Sequence, residues 1–216
     1  LETRPLDRRA LWTIRGAWSV LISTPLLLPY TLWNEYTDEL HFTGFFVDTI
    51  APGAFENVFI LFGPLLYIVV YLLYLVAFFM WTYRAASNAR IMTPAGADIS
   101  PDWAIGWYLI PIMSLWKPYQ ALRRVWACSL SPSAMNEADI PTSFVWFWIL
   151  SASSALLLGP DIRIRYEFDA AEDYSVRAAF DLLVLALEAA LAVATIAVVR
   201  GVTNAQNTAG SAYVFE

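Results

Sequence analysis

A chain of 216 residues that is 59% hydrophobic and only 15% charged departs from soluble domains, in which about a quarter of residues are charged. A net charge of −6 without any basic stripe excludes a general nucleic-acid partner. One cysteine, Cys128, and one histidine, His41, exclude an intrachain disulfide and leave zinc or Ser-His-Asp chemistry without its residues. The apolar residues fall in uncharged runs of about 20, the length that crosses a bilayer. The expected fold class is therefore all-α: a polytopic membrane protein forming a single membrane domain over residues 1–216.

The first predicted span, residues 17–33, contains Pro25 and Pro29 and is expected to be a kinked helix. Its basic flank resembles a signal peptide, but no small-x-small cleavage site follows, so an uncleaved anchor is expected. The next loop carries Glu35, Asp38, Glu39, Asp48 and Glu56 and no Lys or Arg, among aromatic residues suited to the outer membrane surface. The second span, 58–81, is uncharged and is the clearest of the set. The third, 142–158, is uncharged too, whereas the fourth, 176–199, contains Arg177, Asp181 and Glu188.

Between the second and third spans lies a Trp-rich segment, 83–129. Its apolar part, Trp103 to Trp116, is broken by Gly106 and Pro111 and is too short to cross. Arg4, Arg8, Arg9 and Arg15 before the first span, Arg84 to Arg124 here and Arg200 after the last span all count toward one side. The positive-inside rule places them, with both termini, in the cytoplasm. Four transmembrane helices plus a cytoplasmic-side interfacial or re-entrant helical segment satisfy that parity; a fifth crossing would carry Arg123 and Arg124 outside.

The segment carries a pattern: W-x-Y-R-A-x-x-N from Trp81 to Asn88, S-P-x-W-A-I-G-W-Y from Ser100 to Tyr108, and I-P-I from Ile110. L-W-K-P-Y-Q from Leu115 and the ending at Arg124, Trp126 and Ser129 complete it. It resembles a bacterial family of multi-pass membrane proteins, DUF4328. The resemblance implies the fold, the order of spans and a bacterial inner-membrane location. It supplies no activity and no catalytic residues.

Read as chemistry, the segment is a cap against the membrane. Trp103, Trp107, Trp116 and Trp126 have rings suited to headgroup level, as does Trp81. Ser100 is a candidate N-cap for a helix opening at Pro101. Arg84, Asn88, Lys117, Gln120, Arg123 and Arg124 either tie the cap to helix ends and lipid phosphates or line a pocket for a headgroup or a partner's loop.

In the fourth span, Asp181 and Glu188 are seven residues apart, so they share a helix face that Thr195 continues. A carboxylate near the bilayer centre costs roughly 2.5–3.5 kcal/mol on insertion scales, so Glu188 must be protonated, paired or turned inward. It either serves a proton or cation path or accepts a hydrogen bond from Tyr67, Tyr71, Tyr74 or Trp148. Arg177 is placed to pair with Asp181. Ala186, Ala190, Ala194 and Ala197 form a small-residue face for close packing.

The expected function is a non-enzymatic accessory or scaffolding subunit docking to a larger membrane complex, with the lipid bilayer and other membrane subunits as partners and no cofactor. A small transporter or proton-coupled channel built on Asp181 and Glu188, and a lipid- or quinone-binding protein using the cap, are the alternatives.

Overall fold

The computed structural model describes residues 6–23, 54–93, 100–130, 139–167 and 174–212. Side chains are described from residue 65 in the second stretch, at 139–154 and 156 in the fourth, and at 179–180 and 182–209 in the fifth. Every regular element among these residues is helical. Helix α1 covers residues 7–23. It is followed by α2 (Ala54–Met92), α3 (Pro101–Leu109), a short 3-10 turn (Met113–Leu115), α4 (Lys117–Leu130), α5 (Thr142–Glu167) and α6 (Tyr174–Ala212).

Two helices, against the four spans expected, are long and apolar enough to cross a membrane among the described residues: Leu65–Met92 in α2 and Leu182–Ala209 in α6. The expected span at 17–33, with its proline kink, continues past the described residues beyond Ser23, and the one at 142–158 lies on α5, where described side chains end at Leu156. The outward face of α2 is apolar from Leu65 to Met80, with Leu66 and Leu73 each 65% exposed and Leu65, Ile68, Leu72 and Val76 beside them.

Helix α2 does not stop at Trp81, the expected end of its span. It runs unbroken to Met92, carried by Ala85, Ala86 and Ala89, strong helix formers packed inside the bundle. Thr93 then precedes Pro94, and a residue before proline is disfavoured in the helical region. Likewise α6 passes the expected end at residue 199 and holds its helix to Ala212.

The helices align in a definite order. Arg9 donates to the Met80 carbonyl at 2.9 Å, Thr13 to the Ala77 carbonyl at 3.0 Å, and Gly16 sits against Tyr74. Rising numbers on α1 meet falling numbers on α2, so the pair is antiparallel. Helices α2 and α6 run parallel: Tyr67 meets Glu188, Tyr74 meets Thr195 and Trp81 meets Thr203. The start of α5 lies at the far end of that pair, where Phe147 touches Phe78 and Phe144 touches Trp126, which in turn lies over Gly201. Helix α5 therefore runs back along α6.

The core sits at this same end. Trp81, Leu122, Val125, Phe144, Val198, Val199 and Val202 are almost wholly buried there. Helix α4 closes it because the strand of apolar positions Ala121, Leu122, Val125 and Cys128 faces inward, while Gln120, Arg123 and Arg124 face out. Helix α3 rests on α2 through Tyr108, whose ring packs on Phe78 and Phe79. Its nine residues rise only about 13 Å, so it cannot cross a bilayer. Of the small-residue face expected on α6 for internal contact or contact with another protein, Ala186, Ala190 and Ala197 are exposed and only Ala194 is buried.

Candidate functional site

Two groups of polar side chains are built into this frame. The first is a ladder between α2 and α6. On α2 the residues are Tyr67, Tyr74, Trp81 and Asn88, each seven after the last, which brings them to one helix face. Because α6 runs parallel, each meets an acceptor at its own level. Tyr67 donates to Glu188 at 2.5 Å and Tyr74 to Thr195 at 3.1 Å. Trp81 donates its indole N–H to Thr203 at 3.2 Å, and Asn88 donates to Gln206 at 3.2 Å.

The ladder closes on Gln206. Its amide nitrogen donates to the Ala85 carbonyl at 3.0 Å and to Ser129 at 3.1 Å, while Ser129 donates to the Val125 carbonyl. One buried side chain thus joins α2, α4 and α6. The ladder gives polar side chains on two long apolar helices partners from the same chain, and so sets which faces of the helices meet. Tyr71, stacked 6.1 Å from Tyr67, extends the aromatic wall beside Glu188.

The second group is a cleft of about 350 Å³ on the outer side of α3 and α4, lined by Ser100, Trp103, Trp107, Lys117, Gln120 and Arg124. On α3, Trp103 and Trp107 are one turn apart and stack with centroids 4.5 Å apart. On α4, Lys117, Gln120 and Arg124 recur at three and four residues and so share the facing side. The Lys117 ammonium lies 5.6 Å over the Trp107 ring, a cation–π contact that holds the charge at the mouth. Gly106 leaves room for this stack, since a Cβ there would stand 3.1 Å from the Trp103 ring. The cleft offers an aromatic wall opposite two cations and an amide, the chemistry of anion recognition.

Five of the cap residues singled out from sequence (Trp103, Trp107, Lys117, Gln120 and Arg124) therefore converge. The rest do not. Asn88 is buried in the ladder, and Arg84 is half-buried on the same helix. Trp116 and Arg123 are exposed outside the cleft, and Trp126 donates to the Asp139 carbonyl at 3.1 Å. Trp81, expected at headgroup level, is wholly buried. Trp148, a sequence candidate to partner Glu188, donates instead to the Leu115 carbonyl. The side chains of Arg177 and Asp181, and all of His41, lie outside the described residues.

Ser100 occupies the position before α3 without a capping bond to the helix; its hydroxyl donates to Asp102 at 3.4 Å. Burial raises the Cys128 thiol above its ordinary value. Among the described residues no three His, Cys, Asp or Glu side chains are grouped to hold a metal ion. Thr203 and Gln206 were not legible as site residues because they lie past the expected end of the fourth span. The seven-residue recurrence of Tyr67, Tyr74, Trp81 and Asn88 is the signal that could have led to them.

No curated protein and no solved structure matches the chain. A family model described as "Domain of unknown function (DUF4328)" matches residues 54–204, a stretch that takes in the whole ladder described on α2 and most of α6, with α3, the cleft and α5. The chain belongs to the DUF4328 family.

Proposed function

We propose that this protein is a non-enzymatic, four-crossing integral membrane protein, an accessory subunit whose cytoplasmic-side cap receives an acidic segment of a partner membrane protein. The observation that carries the reading is the cleft between α3 and α4. Its cations and stacked indoles face outward, while the opposite sides of both helices are used up in packing on the bundle. Charge complementarity favours an acidic occupant, and the stacked rings suit an apolar or aromatic neighbour of the acid.

The parallel course of α2 and α6 supports the topology. Two parallel crossings require an odd number of crossings between them; α5 supplies one, and α3 is too short to add another. The charge bias then assigns the cap end, with Arg8, Arg9 and Arg200, to the cytoplasm of a bacterial inner membrane.

The test is purification in mild detergent of the wild type and of Lys117→Glu and Arg124→Glu. The reading expects one identified membrane partner that stays with the wild type, is released as salt rises, and is lost from both variants. A wild type recovered only as monomer or homo-oligomer overturns it, as does a partner indifferent to both reversals.

The half-buried Glu188 favours a second reading, a small proton-coupled transporter. Its carboxylate is engaged by Tyr67, which supports a structural role first. Flux in proteoliposomes, abolished by Glu188→Gln or Asp181→Asn, would establish the transport reading; flux absent from the wild type removes it.

A further inference from the structure

We propose a second binding site, in the furrow between α1 and α2, that holds one anionic phospholipid of the cytoplasmic leaflet. It lies on a different face from the cap cleft and rests on the membrane placement given above, but not on any protein partner.

The furrow has a volume of about 360 Å³. Its length is mostly apolar, built from Trp12 on α1 and Val70, Leu73, Val76 and Ala77 on α2, and the hydroxyl of Ser19, which also lines it, donates to the Arg15 carbonyl. Arg9 and Arg15 border it. The antiparallel register fixes its direction. Arg9 is tied to the Met80 carbonyl, one residue before Trp81, and Arg15 is held beside the Trp12 ring at 5.6 Å. Both guanidinium groups therefore lie toward the cap end, and the apolar floor runs the other way.

From Met80 to Val70 the helix advances about 15 Å, half of the roughly 30 Å hydrocarbon thickness. The furrow thus has the length of one leaflet, with its charge at the headgroup end. Guanidinium groups bind phosphate oxygens through paired N–H donors, and only one donor of Arg9 is committed to a described residue. A zwitterionic lipid offers the same phosphate with a neutralising amine beside it, so a net anionic headgroup is the complement. Gly16 keeps the furrow narrow, since a Cβ there would meet the Tyr74 backbone at 3.2 Å and force the two helices apart.

The experiment uses the full chain in detergent, titrated with phosphatidylglycerol or phosphatidylcholine and read by native mass spectrometry and by thermal shift. The wild type is expected to retain one phosphatidylglycerol in preference to phosphatidylcholine. Arg15→Gln should lower that retention about fivefold, the effect of one basic residue near an anionic surface. Val76→Trp, which fills the furrow from an exposed position, should abolish retention while leaving both arginines in place.

Neither substitution removes the Arg9–Met80 bond, so folding is monitored independently of lipid. Inorganic phosphate at the same concentration should displace nothing. Equal retention of the two lipids by the wild type overturns the proposal, as does phosphatidylglycerol binding unchanged in both variants. Full displacement by inorganic phosphate overturns it too, because the apolar furrow would then be idle. A lipid result of either kind leaves the partner test at the cap unaffected.

Discussion

Tyr67 and Glu188 meet hydroxyl to carboxylate across two helices that run parallel, at the same offset of 121 positions that pairs Tyr74 with Thr195. An acid within a long apolar helix is thereby given a donor from its own chain. Interhelical hydrogen bonds of this kind contribute about 0.6 kcal/mol on average and up to about 1.7 kcal/mol. Tyr67→Phe is expected to cost about 1 kcal/mol, and Glu188→Gln less, because the amide keeps an acceptor oxygen for the phenol. Thermal unfolding in detergent of Tyr67→Phe, Glu188→Leu and the double variant combining them gives the coupling energy. A coupling of zero would show that the pair does not hold α2 to α6.

The other end of the ladder is the stronger one. Gln206 satisfies three partners on two other helices while 4% exposed. Gln206→Ala breaks all three bonds at a buried junction of three helices, so a loss of about 2–4 kcal/mol is expected. Asn207, the next residue, is exposed and bonds only to Asp7 among the described residues. Asn207→Ala should change stability by no more than about 0.5 kcal/mol. Similar losses at both positions would refute the ladder as the source of stability.

Much of this was legible in the sequence, and the illegible parts have physical causes. Glu188 and its stripe announce themselves because a carboxylate in an apolar run must be answered, and Tyr67 was among the residues able to answer it. The α2 half was harder. Tyr74 looks like one more candidate donor to Glu188, and Trp81 like an interfacial aromatic, until a parallel neighbour is known to run beside them in register. The helices outrun the spans expected for them, because hydropathy stops where helix propensity does not. Ala85, Ala86 and Ala89 carry α2 onward, and Ala205 and Gln206 help carry α6. The cleft residues were visible as types; that Lys117, Gln120 and Arg124 face Trp103 and Trp107 depends on how α4 folds back on α3, which no periodicity within either helix specifies.

Two glycines separate packing from propensity. At Gly16 a Cβ would lie 3.2 Å from the Tyr74 Cα and Cβ, a backbone contact that cannot swing aside. Gly16→Ala should push α1 off α2 and cost about 1–3 kcal/mol. At Gly201 the nearest neighbour is the Trp126 ring at 3.7 Å, ordinary contact. Gly201→Ala should therefore gain about 0.5–1 kcal/mol from reduced backbone freedom. Opposite signs in detergent melting curves are the expected result; two losses would place Gly201 in a tighter contact than the structure has.

Tyr108 gives the alkaline limit of the cap. Its ring packs edge-on against Phe78 with centroids 5.7 Å apart, but its buried hydroxyl has no partner among the described residues. Burial raises the phenol above its ordinary value of 10.0, with Tyr74 adding to the shift. The folded state then keeps a proton that the unfolded chain loses, so the contribution is complete below about pH 10 and falls as pH rises beyond it. Cys128 acts with the same sign from its ordinary value of 9.0, its thiol also raised by burial. Tyr108→Phe preserves the ring contacts, removes an unsatisfied hydroxyl and is expected to stabilise the protein by about 1 kcal/mol at neutral pH. Its melting temperature should also fall less steeply than that of the wild type above pH 10. Melting curves from pH 7 to 11 test both; parallel pH profiles for the two proteins would mean that the Tyr108 hydroxyl is hydrated or bonded in the folded state.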